Sequence, residues 1–156
     1  MAKQKDTGNK IINIKNRKAS FEYHFLEKYV TGIALLGTEI KSLREGKASL
    51  QHAYCHINKG EIFVKDLNIS PYSFAKNFNH EPKRERKLLM KKKEIEKLDS
   101  KYKEKGLAII PVRIFINNRG LAKLEIALAQ GKKLHDKRED IKSKDLKREL
   151  SRMKLA

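Results

Sequence analysis

Between Leu107 and Leu128 the apolar residues recur at every second position on both sides of a single turn. Ile110, Val112, Ile114 and Ile116 lead into Asn117-Asn118-Arg119-Gly120, and Ala122, Leu124, Ile126 and Leu128 lead out. A period of two is that of a strand with one covered face, and the Asn/Gly cluster supplies the turn. This hairpin constrains the fold more than any other stretch. A two-stranded ribbon is marginal in water, so the rest of the chain must cover its apolar face and its edges. Pro111, lacking an N–H, predicts an edge or a bulge there.

The remaining segments supply that cover. Ala53, Cys55 and Ile57, the turn Asn58-Lys59-Gly60, and Glu61–Lys65 read as a second hairpin. Phe21, Tyr23 and Phe25 alternate as a strand, and the run Ile33–Leu36, bracketed by Gly32 and Gly37, reads as another. Over Thr38–Gly46 the period changes. A short helix is expected, capped by Thr38 and ended by Gly46, with Ile40 and Leu43 inward and Lys41, Ser42 and Arg44 at the surface. Residues 73–82 read as a loop. Lys83–Lys105 reads as one long helix closed by Gly106, with Leu88, Ile95, Leu98 and Tyr102 on its apolar stripe. The expected fold is mainly β: a small antiparallel oligonucleotide-binding-type (OB-like) β-barrel of about six strands, with a short and a long helix packed on it.

Charge narrows the partner. The chain carries 37 Lys and Arg against 19 Asp and Glu, a net +18, which suits a polyanion and most often a nucleic acid. No apolar run approaches the ~20 residues of a spanning helix, and no apolar segment follows the basic N-terminus, so neither a membrane nor an export signal is expected. The single Cys55 forms no internal disulfide and suits a reducing, cytoplasmic setting. From Gly131 onward ten basic residues face five acids, with a sparse stripe of Ile141, Leu146, Leu150 and Met153. That segment is expected to stay disordered until a polyanion holds it.

No catalytic constellation is legible. His24, His52, His56, His80 and His135 lack partners at metal spacing, because His52 and His56 sit i,i+4 across a loop-to-strand transition. There is no phosphate-cradling glycine loop and no nucleophile elbow. Carboxylates are scattered among lysines. No metal, no cofactor and no enzymatic activity are expected. A general ribosomal RNA binder and an RNA-processing enzyme are the competing readings.

Four ordered blocks carry a resemblance. They are Asn16-Arg17-Lys18-Ala19; Gly32 through Arg44 (GIALLGTEIKSLR); Pro82 through Leu89 (PKRERKLL); and Gly131-Lys132-Lys133 with His135-Asp136-Lys137-Arg138. From about Ile12 to Met153 the chain resembles the SsrA-binding protein (SmpB) family, the bacterial partners of transfer-messenger RNA (tmRNA, or SsrA RNA). The resemblance implies an OB-like barrel over 10–130, a flexible N-terminus over 1–9, and a basic tail over 131–156, disordered when free and helical on the ribosome. It implies a monomeric, non-enzymatic factor that grips the tRNA-like domain of tmRNA and delivers it to stalled ribosomes for trans-translation, tagging of the nascent peptide and ribosome rescue. The factor would enter the A site on the ribosome's small subunit, with its tail laid in the mRNA channel.

Carried over by position, Asn16, Arg17, Lys18, Glu39, Lys41, Ser42, Arg44, Leu89 and Lys123 are the expected tmRNA-binding residues. Lys132, Lys133, His135, Asp136, Lys137 and Arg138 are the expected ribosome-binding set. Leu89 either packs or makes an apolar RNA contact. Glu39 either touches RNA or serves its helix N-terminus. His135 offers a ring to stack on a base, and Asp136 either orients Arg138 or caps the helix start. Many family members carry an acid, implicated in RNA contact, where this chain has Val30, and a lysine where it has Gln130. Some carry a tail tryptophan; here Leu150 and Met153 are the apolar candidates.

Overall fold

The computed structural model describes residues 11–104 and 106–154; the expectation for 1–9 lies outside them. The elements run β1 (Asn13–Lys15), α1 (Arg17–Glu22), β2 (Tyr23–Ile33), α2 (Gly37–Arg44), β3 (Ala48–Ser49), β4 (Tyr54–Asn58), β5 (Glu61–Lys65), β6 (Asn68–Ile69), β7 (Arg86–Leu89), α3 (Lys92–Tyr102), β8 (Leu107–Ile116), β9 (Ala122–Gly131) and α4 (Leu134–Lys154). Six strands close into an antiparallel ring, β8-β4-β5-β7-β2-β9 and back to β8, with β1 added outside β8. Closure removes the sheet edges that so basic a chain would otherwise leave open. Inside lies one core, built on Leu43, Ile62, Val64, Leu98, Ile114 and Ile126. Among the described residues no helix is long and apolar enough to cross a membrane.

The β8–β9 hairpin forms as its alternation requires, with Gly120 at φ 77° in the turn and Asn117 Oδ1 accepting the Arg119 and Leu121 amides. The apolar phase of β8 is not uniform, however. The register shifts between Pro111 and Arg113, a bulge at Val112. Ile109 and Ile114 therefore enter the main core, while Ile110 packs with Ala19 and Ala129 in a separate small cluster. The Val112 carbonyl continues the β1–β8 ladder and takes the Asn16 amide at 2.8 Å.

Four further expectations change. Gly32 and Ile33 finish the eleven-residue β2, so Ile33–Leu36 is no separate strand. Phe21 lies in α1, a helix nucleated by Asn16, whose side chain accepts the Ala19 amide. Leu36, not Thr38, is the N-cap of α2; its N–H is met by Glu39 Oε1 at 2.8 Å, and Thr38 Oγ1 instead meets His80 Nδ1 at 2.9 Å. The single helix expected over Lys83–Lys105 is two elements. Arg86–Leu89 alternates buried and exposed as β7, and the helix is only Lys92–Tyr102. Lysine and leucine favour helix, but the ring needs a strand between β5 and β2, and tertiary pairing overrides propensity.

The last element is the tail. Leu134–Lys154 is helical, although none of its residues is buried. Its first turn is fastened to α1 and β2, and a tethered first turn supplies the nucleus that an isolated helix lacks.

Candidate nucleic-acid interface

Strand register builds the site. On β2, Gly32 lies directly opposite Leu89 of β7 on one side and Lys123 of β9 on the other. Lys123 in turn pairs with Phe115 of β8, and Phe115 with Asn13 of β1. Directly opposed residues share a face, so Leu89, Gly32, Lys123 and Phe115 form one row on the outside of the ring. The row beside it runs Val30, Glu125, Arg113 and Lys15. Leu89 is 56 % exposed, an uncommon state for a leucine in a strand, and a Cβ on Gly32 would come within 3.1 Å of its Cβ. Glycine at 32 thus keeps the surface low between Leu89 and Lys123. Arg113 Nε donates to Glu125 Oε2 at 3.0 Å, and its guanidinium lies 4.1 Å over the Phe115 ring. The face offers an apolar contact, a cation for phosphate and a stacked Arg–Phe pair, which together suit RNA.

Three expected contact residues are spent inside the protein. Asn16, only 5 % exposed, donates to the Leu50 and Pro111 carbonyls at 3.1 and 3.0 Å. Ser42 is buried and donates to Ser70 O at 2.6 Å, where the sequence placed it at the surface. Glu39 is fully buried between Arg84, at 2.6 Å, and Arg86. Burial works against the Glu39 charge, but hydrogen bonds from Arg84, the Leu36 amide and Arg86 prevail and hold its carboxyl below the usual range. Arg86, itself buried, also donates to the Leu67 carbonyl at 2.6 Å and the Pro82 carbonyl at 3.2 Å. These side chains shape the surface and do not present it. Arg17 and Lys18 on α1, and Lys41 and Arg44 on α2, are exposed as expected. Cys55 is a buried core residue whose thiol is pushed up by burial.

The tail meets the ring through its first turns. Lys132 pairs with Asp140 and donates to Ser20 O at 3.2 Å, and its amide meets Glu22 O at 2.8 Å. Asp136 Oδ2 lies 3.3 Å from His24 Nε2, and this contact, with the Lys133 amide, holds its carboxyl below the usual range. The link to His24 replaces the expected one to Arg138. Lys144 lies 5.9 Å over the Phe21 ring. His135 is 78 % exposed on its side chain, leaving its ring face open.

Residues 13–155 match the family model described as SmpB protein. The chain belongs to the SmpB family. An SsrA-binding protein of Cytophaga hutchinsonii is 57 % identical over 146 residues, 94 % of this chain and 95 % of that protein. One of Christiangramia forsetii is 55 % identical over 142 residues, 91 % of this chain and 90 % of that protein. A chain of the solved structure described as "tmRNA-SmpB: a journey to the center of the bacterial ribosome" is 41 % identical, with a TM-score of 0.69 over 83 % of this chain and 94 % of that one.

Within this SmpB family member, Arg113, Phe115 and Lys15 are face residues that sequence reasoning passed over. For Arg113 and Phe115 the available signal was their outward alternation against Ile114 and Ile116, whereas Lys15 joins the face only through the pairing of β1 with β8. Glu125 stands directly opposite Val30 across the β2–β9 pair. His135, Asp136 and Glu139 bring donor atoms within 4.8 Å of one another. All three sit on the open first turns of α4, where His24 already engages Asp136.

Proposed function

We propose that this chain binds the tRNA-like domain of tmRNA through the row Leu89, Gly32, Lys123 and Phe115, and delivers it to stalled ribosomes for trans-translation, nascent-peptide tagging and rescue. The relatives' name, SsrA-binding protein, and the solved tmRNA–SmpB relative support the reading. The observation that carries it is the register that sets Leu89 and Lys123 on either side of one glycine. The chain acts by binding alone, in the bacterial cytoplasm. Arg17, Lys18, Lys41 and Arg44 add phosphate contacts around the grip, whereas Asn16, Glu39 and Ser42 hold the backbone that presents it.

The tail has a separate task. Lys132 and Lys133 mark the hinge, and His135, Lys137 and Arg138 meet ribosomal RNA at the A site of the small subunit. Beyond its fastened turns α4 is exposed throughout its described residues. It exchanges with unfolded chain in the free protein and persists as a helix in the mRNA channel, where phosphates offset the ordering cost.

Filter binding of the isolated tRNA-like domain tests the grip. Lys123→Ala is expected to weaken binding by about 1 kcal/mol or more, the scale of one charge-assisted contact. Leu89→Asp is expected to weaken it further, by placing an anion against the phosphates. Wild-type affinity in both variants would remove this face from the interface.

A further inference from the structure

A second aromatic surface is built from a different segment of the chain. Between β6 and β7 the chain forms a loop fastened at two points. Asn79 Oδ1 accepts the Tyr72 amide at 3.1 Å, and its Nδ2 donates to the Tyr72 carbonyl at 2.9 Å. The next residue, His80, is 4 % exposed, and its ring bridges Thr38 Oγ1 at 2.9 Å and the Ile69 carbonyl at 2.8 Å. Held on this clasp, Phe74 and Phe78 are 74 % and 69 % exposed. Tyr72 meets Phe74 edge-on, with centroids 5.6 Å apart, and Lys41 stands 5.7 Å over the Tyr72 ring.

Two phenylalanines held out in water contribute nothing to the core, and the clasp keeps the loop closed beneath them. Such presentation fits a ligand with flat apolar faces. The cations identify it. Lys41, Arg44, Lys76 and Lys83 are exposed on the loop and the adjoining helix α2. Protein-docking surfaces are depleted in lysine, whereas single-stranded nucleic acid is bound by aromatic rings interleaved with cations.

We propose that this loop is a second RNA contact, at which Phe74 and Phe78 stack on unpaired bases while Lys41 and Lys76 hold neighbouring phosphates. The proposal rests on the reading that the partners are RNA; it shares Lys41 with the cations placed around the grip, but its stacking residues are none of the Leu89–Lys123 row. Unpaired bases are available from tmRNA and from ribosomal RNA, and the test separates these sources.

The full-length chain, its Phe74→Ala/Phe78→Ala variant and its Phe74→Tyr/Phe78→Tyr variant are titrated against tmRNA and, separately, against empty ribosomes. The alanine pair is expected to lose about five-fold or more in affinity for one of the two, as for loss of base stacking, and the arm that falls names the source. The tyrosine pair keeps a π-face and is expected to retain binding. A photoreactive phenylalanine analogue at position 78 is expected to cross-link to an RNA base. Unchanged affinity of the alanine pair in both arms, or a cross-link to protein alone, overturns the proposal. Lys123→Ala in the same titrations keeps the two readings apart. If it alone retains full affinity while the alanine pair loses it, the outer-face grip fails and the loop stands.

Discussion

At the scale of single residues, Glu39 shows how a polar sequence signal can mislead. In the chain it reads as one acid on a short basic helix. In the structure it is the buried counter-charge of Arg86 and, from the other side, of Arg84. Glu39→Ala would leave Arg86 charged and without its partner in the interior, a change expected to cost roughly 3–5 kcal/mol in urea unfolding. Because the folded carboxyl titrates below its ordinary 4.5, its contribution is fully present above about pH 4.5 and is lost as pH falls through the lower, folded value. Stability measured from pH 6 to pH 3 should therefore fall less steeply in Glu39→Gln than in the parent. Equal slopes would show that Glu39 does not carry the acid sensitivity. Lys123 was legible because it alternates outward between two apolar neighbours. Asn16, Ser42 and Glu39 were not, because their partners Leu50, Ser70, Arg84 and Arg86 lie 28 to 47 residues away.

At the scale of elements, local periodicity succeeded where one strand faced one core and failed where an element was shared between environments. The β4–β5 and β8–β9 hairpins were readable because apolar alternation and turn residues agree. The strand β7 was not, since its four residues continue smoothly into a helical pattern and only ring closure sets them apart. Helix α4 presents the opposite case: the apolar stripe was visible, but the anchors that start the helix, Glu22, Ser20 and His24, lie in another part of the chain. Those anchors and the separate outer-face row imply a division of labour. Asp136→Ala/Lys137→Ala/Arg138→Ala is expected to bind tmRNA within about two-fold of the parent, since it removes no contact from the row. Peptide tagging on ribosomes stalled without a stop codon should fall by an order of magnitude or more, as cumulative loss of several charge-assisted contacts predicts. Lost tmRNA affinity would place the tail in the grip, and normal tagging would make the cluster dispensable.

At the scale of the whole molecule, the count of 37 Lys and Arg overstates the cations free to meet an RNA. Some of those cations are committed to acids within the fold, pairs that the net charge of +18 already cancels: Arg84 and Arg86 to Glu39, Lys101 to Glu27, Arg113 to Glu125 and Lys132 to Asp140. The Lys101 contact, with help from Tyr29, holds the Glu27 carboxyl below its usual range, and the same carboxylate pushes the Tyr29 phenol up to about 12. The exposed cations of the grip itself are few: Lys123 with Arg17, Lys18, Lys41 and Arg44. If about four to six phosphates are neutralised, the logarithm of the tmRNA association constant should fall against the logarithm of salt concentration with a slope of roughly −3 to −5. A chain that used its full charge would give a much steeper line, and one gripping by shape alone a nearly flat one. Truncation after Gly131, the last residue of β9, sharpens the measurement. The shortened chain loses ten basic residues and five acids. It keeps the ring and its core, so it should fold and keep both its tmRNA affinity and its slope to within about one unit, since each lost phosphate contact changes the slope by roughly that amount. A slope that collapses on truncation would mean that tmRNA is held by the tail, and the row around Gly32 would lose its role.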